Sequence, residues 1–276
     1  MNVLLPRTVS EACDLLAAYY QAIPVAGGTD LFVHWPLQIE NRDRTFVDLS
    51  GLDELRYHRW TEDELVLGAL ATYWDIIRDP RAGIDLPLLV SAARQVGAIQ
   101  IQTRGTWAGN IVNASPAADG VAVLMACDAV VRLQSHEGAE EVPLSDFYLG
   151  YKVMQRSPEQ LLTEIRVPRR SYNFQMFEKV GSRAAQAITK VGVAVTRRGE
   201  KWRVVANSVA PTVCRCPTLE AFLAAGLPVR GPEDLAGPIR EDVSPIDDIR
   251  SSARYRETVL ARLLYFGLRD ECPSFI

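Results

Sequence analysis

Two loops of small residues constrain the fold of this chain most, because each follows an apolar segment and leads into another. The first loop reads PVAGGTDL over residues 24–31. Its paired glycines, Gly27 and Gly28, can take positive φ and let backbone N–H groups converge on an anion, which a Cβ would obstruct. An ordinary connection between a strand and a helix would use the same residues. Taken alone, this loop therefore predicts either a plain turn or a phosphate-binding site.

The second loop covers residues 103–119 and consists almost entirely of small residues and neutral hydrogen-bonding residues. Its glycines could make turns, and Ser115 could cap a helix that begins at Pro116. Turns alone do not explain this density of small residues in a chain with 23% charged residues. Two anion-binding loops predict a ligand with two phosphates, and such a surface suits a large, planar, polar molecule.

Composition and charge argue against several other classes of protein. The chain has 276 residues, 48% hydrophobic content and a net charge of −4, so it can bury a sizeable core but lacks the basic surface of a nucleic-acid-binding protein. No stretch approaches the ~18 apolar residues of a membrane span, and the first residues do not resemble a secretion signal. We therefore expect a cytoplasmic protein with no membrane span and no nucleic-acid partner.

Cysteines and histidines form no recognisable metal site in the sequence. The five cysteines are scattered and odd in number, which disfavours a disulfide framework, and only Cys214 and Cys216 lie close together. An iron–sulfur cluster normally needs four suitably spaced thiolates, so any such cluster is expected on a partner. The isolated histidines, expected at the surface or in caps, are His34, His58 and His136. The tryptophans without regular spacing, expected in the core or at an interface, are Trp35, Trp60 and Trp74.

Hydrophobic periodicity predicts the elements around the two loops. The first helix is expected over residues 9–21, with Ser10 as its N-cap. Further helices are expected over 72–77, 87–96, 219–225 and 252–267, and a helix, a turn and a strand over 122–133. Strands are expected to end at Val25 and to cover 45–49, 64–69, 175–180, 189–197 and 202–209. The change of pattern near residue 170 predicts a domain boundary there.

Three motifs resemble, in order and spacing, those of the FAD-binding medium subunit of the molybdenum hydroxylases, the family of the xanthine, carbon monoxide, aldehyde, quinoline and nicotinate dehydrogenases. The motifs are AGGTD at 26–30, TWAGN at 106–110 and ASPAAD at 114–119. Other segments resemble the end of the family's flavin domain at 161–168, the start of its C-terminal domain at 177–183 and its last helix at 248–256. The resemblance thus covers nearly the whole chain.

The resemblance implies an α+β fold with a two-part, PCMH-type FAD-binding domain over residues 1–170. A smaller domain of antiparallel sheet plus helices would occupy residues 171–276. The chain would be an electron-transfer subunit, on which FAD accepts electrons from the [2Fe–2S] clusters of a small subunit and passes them to a final acceptor. Substrate oxidation would occur on a large subunit with the molybdenum cofactor, in a dimer of heterotrimers. This chain would then hold no catalytic residue and no metal.

The resemblance also implies which residues contact FAD. Backbone N–H groups and the Thr29 hydroxyl would hold the pyrophosphate, while Asp30 would bond to loop amides or a hydroxyl, since it would repel phosphate. Asp119 would accept hydrogen bonds from ribityl or adenosine groups, Leu162 would pack on the adenine, and Lys179 would lie near the isoalloxazine and stabilise the reduced flavin. The implied contacts are Val25, Ala26, Gly27, Gly28, Thr29, Asp30, Leu31, Ile101, Thr106, Ala108, Gly109, Asn110, Ser115, Asp119, Leu162 and Lys179.

Two positions depart from the family pattern. Ala108 stands where relatives usually carry glycine, so its methyl group would strain the loop or shift the flavin if this position needed positive φ. Relatives often carry an acidic residue near Ala187. These departures leave the flavin potential and the electron acceptor open. The substrate is open too, because by analogy this chain does not contact it.

Two other functions remain possible from the sequence. One is a self-sufficient flavin oxidoreductase of the wider PCMH fold, which would need its own catalytic base or a covalent flavin link to His or Cys. The other is an assembly subunit that has lost its flavin, which Ala108 makes conceivable. The visible spectrum of the purified chain distinguishes both from an electron-transfer subunit.

Overall fold

The structure is a computed structural model that describes residues 2–33 and 44–275. His34 and Trp35 lie outside these residues. The described part of the chain combines helices and sheets around two hydrophobic cores, and its last third is an antiparallel sheet with helices. The predicted α+β class, with a smaller sheet-and-helix part at the end, is confirmed.

A three-stranded parallel sheet opens the chain. Its strands are β1 (Asn2–Leu4), β2 (Ile23–Val25) and β3 (Thr45–Asp48), in the order β1-β3-β2. Helix α1 (Val9–Ala18) connects β1 to β2. Because β2 ends at Val25, as predicted, the first small-residue loop leaves the carboxyl end of this sheet, which is where open α/β sheets bind ligands.

Helix α1 differs from its predicted bounds at both ends. Thr8, rather than Ser10, is the N-cap, because its backbone is extended and its Oγ1 accepts a hydrogen bond from the Glu11 N–H at 3.1 Å. The helix stops at Ala18, since Tyr19 leaves the helical conformation before the predicted end at Gln21. Both differences are shifts of a helix end, where local side-chain contacts decide between neighbouring residues.

A five-stranded antiparallel sheet follows, in the order β4-β5-β10-β6-β7. Its strands are β4 (His58–Trp60), β5 (Glu64–Gly68), β6 (Val130–Gln134), β7 (Ala139–Pro143) and, after the hairpin of β8 (Tyr148–Gly150) and β9 (Val153–Met154), β10 (Leu161–Pro168). Strand β10 lies at the centre, paired with β5 on one side and β6 on the other.

A run of short helices joins β5 to β6. They are α2 (Tyr73–Ile77), α3 (Pro80–Asp85), α4 (Pro87–Gln95), α5 (Ile99–Gln102), α6 (Trp107–Asn113) and α7 (Asp119–Ala126). The helix predicted over 72–77 is present as α2, and Thr72 is its N-cap. Helix α7 begins at Asp119 rather than at Pro116, because Ala118 is still extended. Ser115 therefore caps no helix, and its Oγ accepts from the Ala117 N–H at 3.2 Å within a turn.

The C-terminal part is a four-stranded antiparallel sheet covered by helices. It comprises β11 (Phe174–Val180), β12 (Val191–Arg198), β13 (Lys201–Asn207), β14 (Cys214–Arg215), α8 (Pro217–Ala224), α9 (Ala236–Asp242) and α10 (Ala253–Leu268). Alternation along β12 serves both cores: Ala194 packs into the core that includes α7, whereas Val193 and Val195 pack into the core that includes α10. The sheet is thus fixed against the N-terminal part.

Short 3₁₀ turns complete the described fold, at Asp53–Leu55, Leu144–Asp146 and Pro232–Leu235. None of the helices in this part of the chain combines the length and hydrophobicity needed to cross a bilayer. The same residues contain no group of three His, Cys, Asp or Glu side chains arranged to hold a metal ion, and the five cysteines are free thiols.

Candidate cofactor-binding cleft

A cleft of about 1140 Å³ lies where the first loop, the second loop and the C-terminal sheet meet. This volume exceeds the ~300–1,000 Å³ of ordinary small-molecule sites, so the cleft suits an extended ligand. Most of the sequence-implied contact residues line it: Val25, Ala26, Gly27, Gly28, Thr29, Asp30, Leu31, Ile101, Thr106, Gly109, Asn110, Ser115, Asp119 and Lys179. The fold therefore gathers segments that lie far apart in the sequence.

The first loop needs both of its glycines. Gly28 has a φ of +70°, a conformation that residues with a Cβ rarely adopt. A Cβ on Gly27 would lie 1.7 Å from the carbonyl oxygen of Arg104, so the two loops touch backbone to backbone at this point. The N–H groups of Gly27, Gly28 and Thr29 have no acceptor among residues 2–33 and 44–275. The loop thus presents unused backbone donors at the cleft, as an anion site requires.

Asp30 turns its carboxylate toward the second loop. Its Oδ1 accepts a hydrogen bond from Nδ2 of Asn113 at 3.0 Å. This side-chain amide takes the place of the loop amide or hydroxyl that the sequence predicted. The contact connects the two loops a second time and directs the negative charge to a neutral donor.

Part of the second loop is helical, because helix α6 covers Trp107–Asn113 within residues 103–119. Thr106 is the N-cap, and its Oγ1 accepts from the Gly109 N–H at 3.0 Å. The Asn110 Oδ1 atom is buried and has no hydrogen-bond partner in the described part of the chain, although Asn110 lines the cleft. An unsatisfied buried acceptor at a cleft wall is what a ligand with a hydrogen-bond donor would satisfy.

Ala108 lies inside helix α6, so the concern about its methyl group is wrong. Its φ is not positive, its side chain is buried in the core, and it does not line the cleft. Since Thr106 caps the helix, Ala108 occupies a helical position that favours alanine over glycine. Within residues 103–119, positive φ occurs at Ala114, at 48°, which ends α6 in the left-handed conformation.

Lys179 and Asp119 form a buried ion pair between the two parts of the fold. The Lys179 Nζ lies 2.7 Å from Asp119 Oδ2, and each side chain is 8% exposed. Lys179 also donates to the carbonyl oxygens of Gln95, at 2.8 Å, and Ala187, at 3.4 Å. All three ammonium donors are therefore used. A free cation that stabilises reduced flavin does not fit this geometry, although Lys179 lines the cleft.

Asp119 has further partners on the C-terminal sheet. Its Oδ1 accepts from the Thr189 hydroxyl at 2.6 Å and from the Asn207 amide at 2.9 Å. With Lys179, these donors fill three of the roughly four acceptor positions of a carboxylate. Asp119 therefore serves first to join α7 to the sheet, and at most one acceptor position is left for the ligand contact that the sequence implied.

Leu162 is not part of the cleft. It lies on the central strand β10, is 3% exposed and packs in the N-terminal core. It therefore does not offer a surface to an adenine ring in this structure. Side chains alternate between the two faces of a strand, and the sequence motif alone did not show which neighbours would cover this face.

The C-terminal wall contains residues that motif matching did not assign to the ligand. Arg256, whose side chain is 5% exposed, donates to the Ser208 carbonyl and to Asp248 Oδ1, each at 2.7 Å. Burial would raise the pKa of Asp248, but backbone N–H donors in its turn and the Arg256 guanidinium hold that pKa below its ordinary value. Arg256 and Asp248 thus form an ion pair in this wall.

Tyr73, Tyr151 and Lys152 also line the cleft and were missed from the sequence. Burial, reinforced by the negative charge of Asp119, raises the pKa of Tyr73, so its hydroxyl stays protonated at neutral pH. Tyr151 and Lys152 form the turn of the β8–β9 hairpin. The sequence signal for them is the short segment that begins at Gly150, which is typical of a tight turn.

Comparison with known proteins agrees with this geometry. Residues 1–170 match the FAD binding domain in molybdopterin dehydrogenase, and residues 176–270 match the CO dehydrogenase flavoprotein C-terminal domain. The nicotinate dehydrogenase FAD-subunit of Eubacterium barkeri is 34% identical over 68% of this chain, a match that spans 65% of that protein. The xanthine dehydrogenase FAD-binding subunit of Escherichia coli O157:H7 is 30% identical over 90% of this chain and 88% of its own length.

The fold is similar to that of a solved relative. A chain of carbon monoxide dehydrogenase from Hydrogenophaga pseudoflava, in a form that lacks the Mo-pyranopterin moiety of the molybdenum cofactor, superposes with a TM-score of 0.86. The superposition covers 96% of this chain and 94% of that one, at 26% sequence identity. From its two matched domains, its relatives and its fold, the chain belongs to the family of FAD-binding medium subunits of the molybdenum hydroxylases.

Proposed function

We propose that FAD binds in the cleft described above and that the chain carries electrons between a [2Fe–2S] partner subunit and a final acceptor. The observation that carries the proposal is the set of unused N–H groups on Gly27, Gly28 and Thr29, residues that line a cleft large enough for a dinucleotide. These donors match the pyrophosphate of FAD without requiring a metal ion.

The rest of the cleft fits FAD as well. The unpartnered Oδ1 of Asn110 supplies an acceptor for a hydrogen-bond donor on the bound cofactor. The Thr29 hydroxyl adds a donor beside the free amides of the first loop. When bound, FAD supplies the one- and two-electron chemistry, and the protein supplies orientation and electrostatics. The buried pair of Lys179 and Asp119 keeps the C-terminal wall fixed against the loops.

The electron partners are proposed from the family. We infer a large subunit with the molybdenum cofactor, a small subunit with [2Fe–2S] clusters and an assembly of two such heterotrimers in the cytoplasm. Exposed apolar side chains near the cleft support the proposal that partner subunits bind there: Leu149 is 66% exposed, Tyr151 64%, Val153 53% and Ile249 99%. Water-exposed apolar groups beside a cofactor cleft are typical of surfaces that partners cover. We also propose the domain division 1–170 and 171–276.

The visible spectrum of the purified full-length chain, before and after reconstitution with FAD, tests the proposal. We expect flavin absorption bands, FAD released on denaturation, and no oxidation of small substrates by the chain alone. A chain that takes up no FAD under these conditions would refute the electron-transfer function and favour the flavin-free assembly subunit. Turnover of a small substrate by the isolated flavoprotein would favour a self-sufficient oxidoreductase.

Co-expression with the genes that adjoin this one tests the partners. We expect the chain to co-purify with a molybdenum subunit and a [2Fe–2S] subunit, and its flavin to be reduced only when substrate and both partners are present. Flavin reduction by substrate without the [2Fe–2S] subunit would contradict the proposed electron path. Steady-state assays with NAD, a quinone and oxygen then identify the acceptor.

A further inference from the structure

The cations that line the cleft differ in their partners. On the C-terminal side they are paired with carboxylates, Lys179 with Asp119 and both Arg250 and Arg256 with Asp248. Lys152 also lines the cleft, but it has no carboxylate within 4.0 Å among the residues that the structure describes. Lys152 therefore forms no ion pair with the residues that the structure describes.

Lys152 lies beside the first loop, to which Asn113 connects it. The Lys152 Nζ donates to the backbone carbonyl of Asn113 and, at 2.9 Å, to its Oδ1. Nδ2 of Asn113 in turn donates to Asp30 Oδ1 at 3.0 Å. An ammonium group has three donors, and these contacts use two of them. One donor and the positive charge are left at the edge of the cleft, with Asn113 between Lys152 and Asp30 of the first loop.

The backbone at Lys152 is unusual for this residue type. Its φ is +59°, in the left-handed region that favours glycine, at the turn between β8 and β9. Lys152 is exposed, and a two-residue hairpin turn commonly places a residue at positive φ. The turn fixes the backbone of Lys152, and the two contacts with Asn113 hold its ammonium group at the cleft.

We propose that Lys152 is a pyrophosphate-binding residue for FAD, an inference that rests on the proposed function. The free N–H groups of the first loop are neutral donors, whereas a pyrophosphate brings negative charge close to the Asp30 carboxylate. The Lys152 ammonium supplies a positive charge, with its third donor or by moving from Asn113 to a phosphate oxygen. A charge-assisted hydrogen bond of this kind is about twice as strong as a neutral one.

The test compares flavin binding by variants of the full-length chain after removal of bound FAD. The variants are Lys152→Met, Lys152→Gln and Lys152→Arg, with Lys201→Met as a control because Lys201 is an exposed lysine outside the cleft. Flavin fluorescence gives the Kd for FAD and for riboflavin, which has no pyrophosphate, at low and high salt. Thermal unfolding shows whether each variant is folded.

We expect both neutral variants to raise the Kd for FAD about tenfold, the size of a hydrogen bond to a charged group, and to weaken its dependence on salt. The Kd for riboflavin should stay constant, Lys152→Arg should keep most of the affinity for FAD, and Lys201→Met should equal wild type. An unchanged Kd for FAD in folded Lys152→Met or Lys152→Gln overturns the inference and leaves the proposed function intact.

Equal losses for FAD and riboflavin also overturn the inference, because a role that is independent of the pyrophosphate would then explain them. Failure of the wild-type chain to bind FAD refutes the proposed function, and with it this inference. The salt dependence separates the two sources of affinity: an electrostatic contact with phosphate weakens as salt rises, whereas a packing contact does not.

Discussion

Replacing Lys179 by methionine leaves the Asp119 carboxylate buried without its cation. The two charged atoms lie 2.7 Å apart, and each side chain is 8% exposed. Methionine keeps a similar length and removes the ammonium, so the carbonyl oxygens of Gln95 and Ala187 also lose a donor. The variant therefore tests whether this pair holds the C-terminal sheet against α7.

The magnitude follows from the burial of the remaining charge. Removing one partner of a buried ion pair costs ~3–5 kcal/mol. Thr189 and Asn207 still donate to Asp119, which puts the expected cost near the lower end, about 3 kcal/mol. At ~2–4 °C for each kcal/mol in a protein of this size, the midpoint of thermal unfolding should fall by roughly 6–12 °C.

Calorimetry on three variants separates a lost pair from an unpaired charge. Lys179→Met should be the least stable, and the double variant with Asp119→Asn should recover at least part of the loss, because it no longer buries a lone carboxylate. The control Lys201→Met, at an exposed position of the same sheet, should unfold within about 0.5 kcal/mol of wild type. A wild-type midpoint for Lys179→Met, or a double variant no more stable than the single one, would refute this reasoning.

Three further predictions follow from local geometry. Gly27→Ala should destabilise the chain on the order of 3 kcal/mol and weaken FAD binding, because its Cβ would lie 1.7 Å from the Arg104 carbonyl oxygen; Gly83→Ala, a helical control with open space, should stabilise by ~0.5–1 kcal/mol in the same calorimetry. Ala108→Gly should cost about 1 kcal/mol without raising the affinity for FAD, since the site is helical; tighter flavin binding in a fluorescence titration would contradict this. Burial opposes ionisation of Glu164, but hydrogen bonds from a tyrosine and an arginine hold its pKa below 4.5. The stabilisation by ionised Glu164 is fully present above its unfolded pKa and is lost as pH falls through its lower folded pKa. Glu164→Gln should therefore be less stable than wild type at pH 7, and the difference should close in acid unfolding curves as pH falls through the folded pKa.

Periodicity and turn chemistry predicted most elements of the fold. The predicted bounds agree with the structure to within a few residues for strand β2, for helix α2 and for the three long strands of the C-terminal sheet. The errors fall where two local choices are close in energy, as at Thr8 and Ser10, or where a helix starts late, as at Asp119. Such choices depend on contacts that a local pattern does not contain.

The sequence predicted only part of the cleft, because several of its contacts also join residues that are far apart in the chain. The first loop could be located because Gly27 and Gly28 have a conformational role that the residue type reveals. Leu162 was assigned to the ligand although its face of β10 is covered by the core. Lys152 was overlooked because its role depends on its contacts with Asn113 and on the lack of a carboxylate beside it among the described residues, and neither is visible in a motif.

The sequence by itself determined the family, the positions of the two small-residue loops and the order of the elements, because motif residues and periodicity act over a few neighbouring positions. Only the tertiary structure decided which charges meet. Lys179 and Asp119 are 60 residues apart and neutralise each other, whereas Lys152 keeps its charge at the edge of the cleft. Electrostatic roles depend on distance and burial. Lys179, which the sequence motif predicts to lie near flavin, therefore joins two parts of the fold through its ion pair with Asp119.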